Sequence, residues 1–204
     1  MIVFIAMVLV AGIAASVLVQ TANKLEIQAM ETGDQTTAEV ATGLYVFDIE
    51  GKVASGYIAN LTLSIKPRAG SADIDLGEVI VELSDGTKKL LLSLNSSATW
   101  NFNTSVHTNG HIFSTGSWNE TNEEFGIIVL EDADSSCSAI TSAVINRGDL
   151  VMLTISTTGC GFGSGNGLDP RDDIWGRVIP EDGAAGHFAF RVPPSLSDTV
   201  YDLY

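Results

Sequence analysis

Four tripeptides of the pattern Asn-X-Ser/Thr carry the most recognisable chemistry: Asn60-Leu61-Thr62, Asn95-Ser96-Ser97, Asn103-Thr104-Ser105 and Asn119-Glu120-Thr121. Each is an acceptor pattern for an N-linked glycan, which implies a secreted surface. Asn95, Asn103 and Asn119 lie in a polar stretch with little β character, as a decorated outer surface would. Cys137 and Cys160 match no metal-binding spacing. They pair as a disulfide in an oxidising compartment or remain two buried free thiols. Glu131, Asp132 and Asp134, and separately Asp169, Asp172 and Asp173, offer hard oxygen ligands of the kind Ca²⁺ takes. Neither group has EF-hand spacing, so solvated loop carboxylates are the expected reading, with no cofactor.

The remaining candidates lead away from catalysis. His107 and His111 stand four apart, which suits a metal only on a helix, and their surroundings are turn-rich and β-prone. Gly161, Gly163, Gly165 and Gly167 lack the lysine of a phosphate loop and read as a flexible loop. Arg147-Gly148-Asp149 has the form of a cell-adhesion tripeptide, but a turn leading into a strand at Leu150 accounts for it. No nucleophile stands beside a base, so an enzyme is not expected.

The elements that must carry these residues fall into two parts. Residues 1–19, MIVFIAMVLVAGIAASVLV, contain no charge, and the first charged side chains are Lys24 and Glu26. The run is long enough to cross a bilayer core of about 30 Å. A cleaved secretory signal would carry a positive segment before the apolar run, and none precedes it here. A cleaved signal, whose cleavage site Ala14, Ala15 and Ser16 would imitate, a permanent anchor and a helix enclosed in a protein core are the three alternatives. Gly12 with Ser16, and Ala11 with Ala15, place small residues at i, i+4 spacing, which lets helix backbones approach closely. Phe4 and Val8 join them as core-packing candidates. Residues 20–43 continue the helical spacing through Leu25, Ile27, Met30 and Val40. Gly33 and the Thr36-Thr37 pair predict a bend near residues 32–35. A helix over residues 1–43 would run about 65 Å, more than a bilayer needs, which favours a stalk or polymer core.

From Leu44 the pattern turns to β, with runs at Tyr57–Pro67, Glu78–Leu83, Lys88–Leu94, Glu124–Leu130, Leu150–Thr157, Ile174–Ile179, Phe188–Val192 and Thr199–Tyr204. Leu61, Leu63 and Ile65 alternate with Thr62, Ser64 and Lys66, the mark of a half-buried strand. Asp85-Gly86 supplies a hairpin signal between two of the runs. The expected fold is therefore α+β: a hydrophobic helix over 1–43, then an antiparallel immunoglobulin-like sandwich over 44–204. Ten Lys and Arg against twenty-five Asp and Glu give a formal charge of −15, which argues against nucleic acid as a partner.

Four blocks together resemble one family. They are IVFIAMVLVAGIAASVL (Ile2–Leu18), AGSADIDLGEVIVELSDG (Ala69–Gly86), NRGDLVMLTI (Asn146–Ile155) and DPRDDIWGRVIPEDGAAGHFAFRVPPSL (Asp169–Leu196). In this order they look like the archaellins, the subunits of the archaeal swimming filament. Pro180, Glu181 and Gly183 fall in that family's closing V-I-P-E-x-G turn. The resemblance implies a type IV pilin-like precursor whose short basic leader is removed by a membrane peptidase. The Gly-rich residues that normally precede the IVFIAM block are replaced by Met1, which implies a mature start other than Met1. It further implies membrane insertion before assembly, then polymerisation with itself or with paralogous subunits into an extracellular filament. Helices would fill the core and sandwiches the exterior, and a separate ATP-driven membrane platform and motor would turn the polymer. An adhesive pilin shares the apolar helix, but the closing block favours the archaellin. A membrane-anchored surface binding module is the rival of another class.

Overall fold

The computed structural model of the chain describes residues 1–95, 112–114, 123–139 and 142–204. Helix α1 runs from Ile2 to Ala41 and spans about 60 Å. The helix is not interrupted at residues 32–35. The hydroxyls of Thr32, Thr36 and Thr37 donate to the carbonyls of Gln28, Thr32 and Gly33, each at 2.8 Å. Each threonine thus satisfies its hydroxyl one turn back within the helix, instead of competing for backbone groups outside it. Gly33 is carried along by intact turns on both sides.

Among the described residues twelve strands follow: β1 (Leu44–Ala54), β2 (Tyr57–Pro67), β3 (Ile74–Asp75), β4 (Ile80–Ser84), β5 (Lys89–Leu94), β6 (Glu124–Glu131), β7 (Cys137–Ala139), β8 (Ser142–Ile145), β9 (Leu150–Ser156), β10 (Asp173–Ile179), β11 (Gly186–Arg191) and β12 (Val200–Asp202). Nine of them form one sheet in the order β11-β10-β4-β5-β6-β9-β2-β1-β12, and β3-β8-β7 form a second. All pairings are antiparallel except β5 with β6, where Ser93 stands opposite Glu124. That parallel step is where the large sheet passes from one layer to the other. At the far side Gly186 lies against the carbonyl of Leu44 and the side chain of Val46, so β11 returns over β1 and closes a sandwich.

Alternation explains the core. Leu61, Leu63 and Ile65 of β2, Val151, Leu153 and Ile155 of β9, and Val81 and Leu83 of β4 all point inward and are buried. The expected solvent face of β2 is buried as well: Asn60, Thr62 and Ser64 pair in register with Ser156, Thr154 and Met152 of β9, and all three are buried. Lys52 donates its Nζ to the carbonyl of Phe113 at 3.4 Å, which sets the 3-10 turn Ile112–Ser114 beside β1. Hairpin chemistry fixes the register. Ser55 and Gly56, both at positive φ, make the two-residue β1–β2 turn. In the β4–β5 turn, Asp85 Oδ1 accepts from the backbone N–H groups of Thr87 and Lys88 at 2.8 and 2.6 Å.

By compactness the chain divides into residues 1–38 and 39–204. The last helical turn therefore groups with the sandwich, ahead of the boundary at residue 43 that periodicity indicates. The reason is a set of hydrogen bonds just beyond it.

Candidate functional site: the apolar helix, its collar and an acidic pocket

Helix α1 buries none of its own residues. Phe4, Val8, Ala11, Gly12, Ala15 and Ser16 are all exposed. At 3.6 residues per turn Phe4, Val8, Ala11 and Ala15 share one stripe, with Gly12 and Ser16 beside it. A different side carries a shallow groove lined by Val3, Ala6, Met7, Val10, Ala11 and Ala14. The first five turns are thus apolar all round, the pattern of a helix made to be enclosed on every side.

The exit of the helix is tied down by distant segments. The Ala184 N–H donates to the Thr42 carbonyl at 2.8 Å, and the Leu44 N–H donates to the Ala184 carbonyl at 3.1 Å. From the other side, the Arg68 N–H donates to the Gly43 carbonyl at 2.8 Å, and its Nε to the Leu44 carbonyl at 3.3 Å. Gly183 is at φ +96°, and a Cβ there would collide with the Thr42 carbonyl oxygen. The Pro180–Gly183 turn is therefore a collar around residues 42–44, which gives the closing block a mechanical role.

The acidic groups resolve differently from their sequence neighbourhoods. Carboxylate oxygens of Asp132, Asp134 and Asp149 lie within 4.8 Å of one another. Asp149 comes from the Arg147-Gly148-Asp149 turn, which swings it beside the loop after β6. Asp132 receives the N–H groups of Ser136 and Cys137 at 3.2 and 3.1 Å. Asp134 receives Asn146 Nδ2 at 2.6 Å, and that bond, with others from Ser136, holds its pKa below the ordinary value. Asp149 Oδ2 accepts from the Asn146 N–H at 2.8 Å, while its Oδ1 is buried with no hydrogen-bond partner. Two oxygens on one Ca²⁺ at 2.3–2.6 Å each stand at most about 5 Å apart, so the triad has the right reach for that ion. Glu131 is exposed at the end of β6 and stands outside the triad. The Asp169, Asp172 and Asp173 group makes no such triad among the described residues. Asp172 Oδ2 accepts from the Asp169 N–H, and Asp173 faces Arg191.

The other candidates are placed as follows. Cys137 and Cys160 are both buried and are not joined in a disulfide. Burial, then the charges of Asp132 and Asp149, pushes Cys137 up to about 12, and burial pushes Cys160 up to about 11. Asn60 is 9% exposed and Asn95 7% exposed, because each lies against a packed strand face or end. Asn103 and Asn119, like His107 and His111, lie outside the described residues. The glycine-rich stretch reads as a flexible loop in sequence but is a packed 3-10 turn, Phe162–Gly165. Phe162 is buried, and Lys88 donates its Nζ to the Cys160 carbonyl at 2.6 Å. A buried Asp149 also rules out a displayed adhesion tripeptide.

Comparison with known proteins agrees with this arrangement. The model of the archaeal-type flagellin family matches residues 1–190. Flagellin B2 of Methanocaldococcus jannaschii is 42% identical over 201 residues, which cover 98% of this chain and 88% of that one. Flagellin B3 of Thermococcus kodakarensis is 34% identical over 245 residues, covering 100% and 94%. The crystal structure of archaeal flagellin FlaB1 from Methanocaldococcus jannaschii superposes with a TM-score of 0.63 at 28% identity, over 80% of this chain and 97% of that one. The archaeal flagellum of Methanospirillum hungatei strain JF1 matches with a TM-score of 0.65 over 99% and 94%, a likeness of fold at 15% identity. With a family model covering nearly the whole chain, this chain belongs to the archaeal-type flagellins.

Proposed function

We propose that this flagellin is the repeating structural subunit of the archaeal swimming filament, inserted in the membrane by α1 before assembly. On assembly α1 leaves lipid for a bundle of identical or paralogous helices, with the sandwich outside, and a separate membrane platform and motor rotates the polymer. The observation that carries this reading is a 40-residue helix, apolar all round in its first half, without a single buried residue. In water each large apolar side chain so exposed forgoes about 1.5–3 kcal/mol of burial. Moving from lipid to bundle gains little of that, since lipid is equally apolar. Close packing and contacts between sandwiches must therefore supply the assembly energy. Deleting the chain should abolish swimming and the surface filament while attachment persists. Loss of attachment with swimming intact would point to an adhesive pilin instead.

A divalent cation of the Ca²⁺ type belongs to the same reading, held by Asp132, Asp134 and Asp149. The unpartnered, buried Oδ1 of Asp149 supports it, because a buried carboxylate oxygen needs a compensating charge or donor. Binding to the folded state raises the melting temperature by mass action. Millimolar Ca²⁺ should therefore raise the melting temperature of the wild-type chain over EDTA and leave Asp149→Asn unmoved. Equal melting of the wild type in both conditions would remove the cation. Glycans are proposed for Asn103 and Asn119, the sequons in the polar stretch between β5 and β6.

A further inference from the structure

Outside α1, the exposed large apolar side chains among the described residues are six, and they fall into two groups. Ile80, Leu91 and Trp175 project from the outer face of β4, β5 and β10. Tyr45, Val200 and Tyr204 lie along β1, β12 and the residues after it. All six are 38–58% exposed, while the other large apolar residues described in the sandwich are half-buried or buried.

The charges around the two groups differ in sign. In the first, Glu82 is 3% exposed and is clasped by Lys89 at 2.8 Å and Arg177 at 2.9 Å. Lys89 also sits 5.9 Å from the Trp175 ring centroid, and Arg191 and Asp173 face each other at 3.5 Å on the same surface. Three cations against two carboxylates make this face positive on a chain whose formal charge is −15. In the second group, Glu50 and Asp202 are register partners across β1 and β12, with Asp48 two residues away. None of these three carboxylates is ion-paired among the described residues. Burial first, then Asp48 and Asp202, raises the Glu50 pKa. Lys52, on the Phe113 carbonyl, and Lys66, over the rings of Tyr45 and Phe47, keep their charge, and three carboxylates against these two cations leave the edge negative.

We infer that the Ile80–Leu91–Trp175 face of one copy docks on the Tyr45–Val200–Tyr204 edge of a second copy of this chain. Two different patches of opposite sign on one subunit make a heterologous contact, which repeats without closing and builds a helical, open-ended polymer. An isologous contact would bring the like charges of one patch together. The apolar side chains supply the buried centre, and Lys89, Arg177 and Arg191 meet the carboxylates of Asp48, Glu50 and Asp202 at the rim. This contact rests on the filament reading and identifies where sandwiches touch within it.

Disulfide trapping tests it in filaments on cells whose only copy is the variant chain. Leu91→Cys with Val200→Cys in one chain should give, on oxidation, a ladder of covalent dimers, trimers and longer multimers. Each single variant should stay monomeric, because Cys137 and Cys160 are buried. Filaments of the double variant that remain monomeric under oxidation and with a short bis-maleimide overturn the contact and leave the filament reading intact. A dimer from Leu91→Cys alone overturns it in favour of an isologous pairing. Wild-type cells without filaments of this chain overturn the filament reading itself. If the double variant does not assemble, charge exchange decides. Asp202→Lys should lower filament yield several-fold, and adding Arg191→Glu should restore it. A yield that stays low in the exchanged pair, or that Asp202→Lys does not change, overturns the contact.

Discussion

Helix α1 and the sandwich solve burial in opposite ways. The sandwich encloses its own apolar residues: Leu44, Ile49, Leu61, Ile65, Phe125, Leu153 and Phe162 are all inaccessible or nearly so. The helix satisfies its backbone internally and leaves every apolar side chain outside. The sandwich covers its core within one chain, whereas α1 leaves its apolar surface uncovered. The difference teaches that folding and assembly are separable here, with residues 42–44 as the joint between them.

The sharpest way to break that separation is a charge in the helix. Val8→Asp should abolish filaments while the sandwich melts as in the wild type, since a carboxylate at an apolar helix centre costs about 2.5–3.5 kcal/mol in each subunit. Normal filaments from the variant strain would sink the core assignment. Next in size is the joint. Gly183→Ala sets a Cβ against the Thr42 carbonyl at positive φ. Overpacking of this kind costs about 1–3 kcal/mol, so denaturant unfolding should show a lower midpoint with unchanged slope. An unchanged midpoint would mean that the collar is loose.

A smaller effect separates two parts of the sandwich surface. Hydrogen bonding from Lys89, aided by Arg177 and opposed by desolvation, holds Glu82 below its ordinary 4.5. Its contribution to stability is present above 4.5 and disappears as pH falls through the lowered value. Glu50 is raised above 4.5, so the folded state holds its proton more tightly than the unfolded chain does. Its effect runs the other way: stability is greatest below 4.5 and declines as pH rises through the raised value. Glu82→Gln should therefore destabilise near neutral pH, and Glu50→Gln should stabilise there, both differences vanishing in acid. Urea titrations across that range check the pair, and like signs would refute the contrast. Smallest of all, Asn119→Gln should change intact mass by one glycan and leave filament yield and melting temperature alone. An unchanged mass would remove the glycan from that position.

Much of this was legible in order along the chain. The chargeless run from Met1 to Val19 needs only its composition to declare that it must be enclosed. The alternation in Leu61, Leu63 and Ile65 places β2 with its correct ends, and Asp85-Gly86 marks the hairpin between β4 and β5. Short β3, β7 and β8 escaped because two to four residues carry too little periodicity to stand out. β1 was blurred by bulges after Val46 and Lys52, which break the period of two. The sequons at Asn60 and Asn95 follow from local spelling alone, whereas burial of those amides is a property of the packed strands around them.

What the sequence determined by itself is the division of labour: an all-apolar helix for a nonaqueous environment and an acidic β-domain for water. Local periodicity and composition suffice for that, because each depends only on neighbours along the chain. The tertiary structure decided which distant residues act together. It brought Asp149 from an apparent adhesion tripeptide to Asp132 and Asp134, kept Cys137 and Cys160 as separate thiols, and set the Gly183 turn around Thr42. It also sorted the exposed apolar residues into a basic face and an acidic edge. These are contacts between segments distant in the chain, Ala184 with Thr42 among them, and only the closing of the sheet over its core creates them.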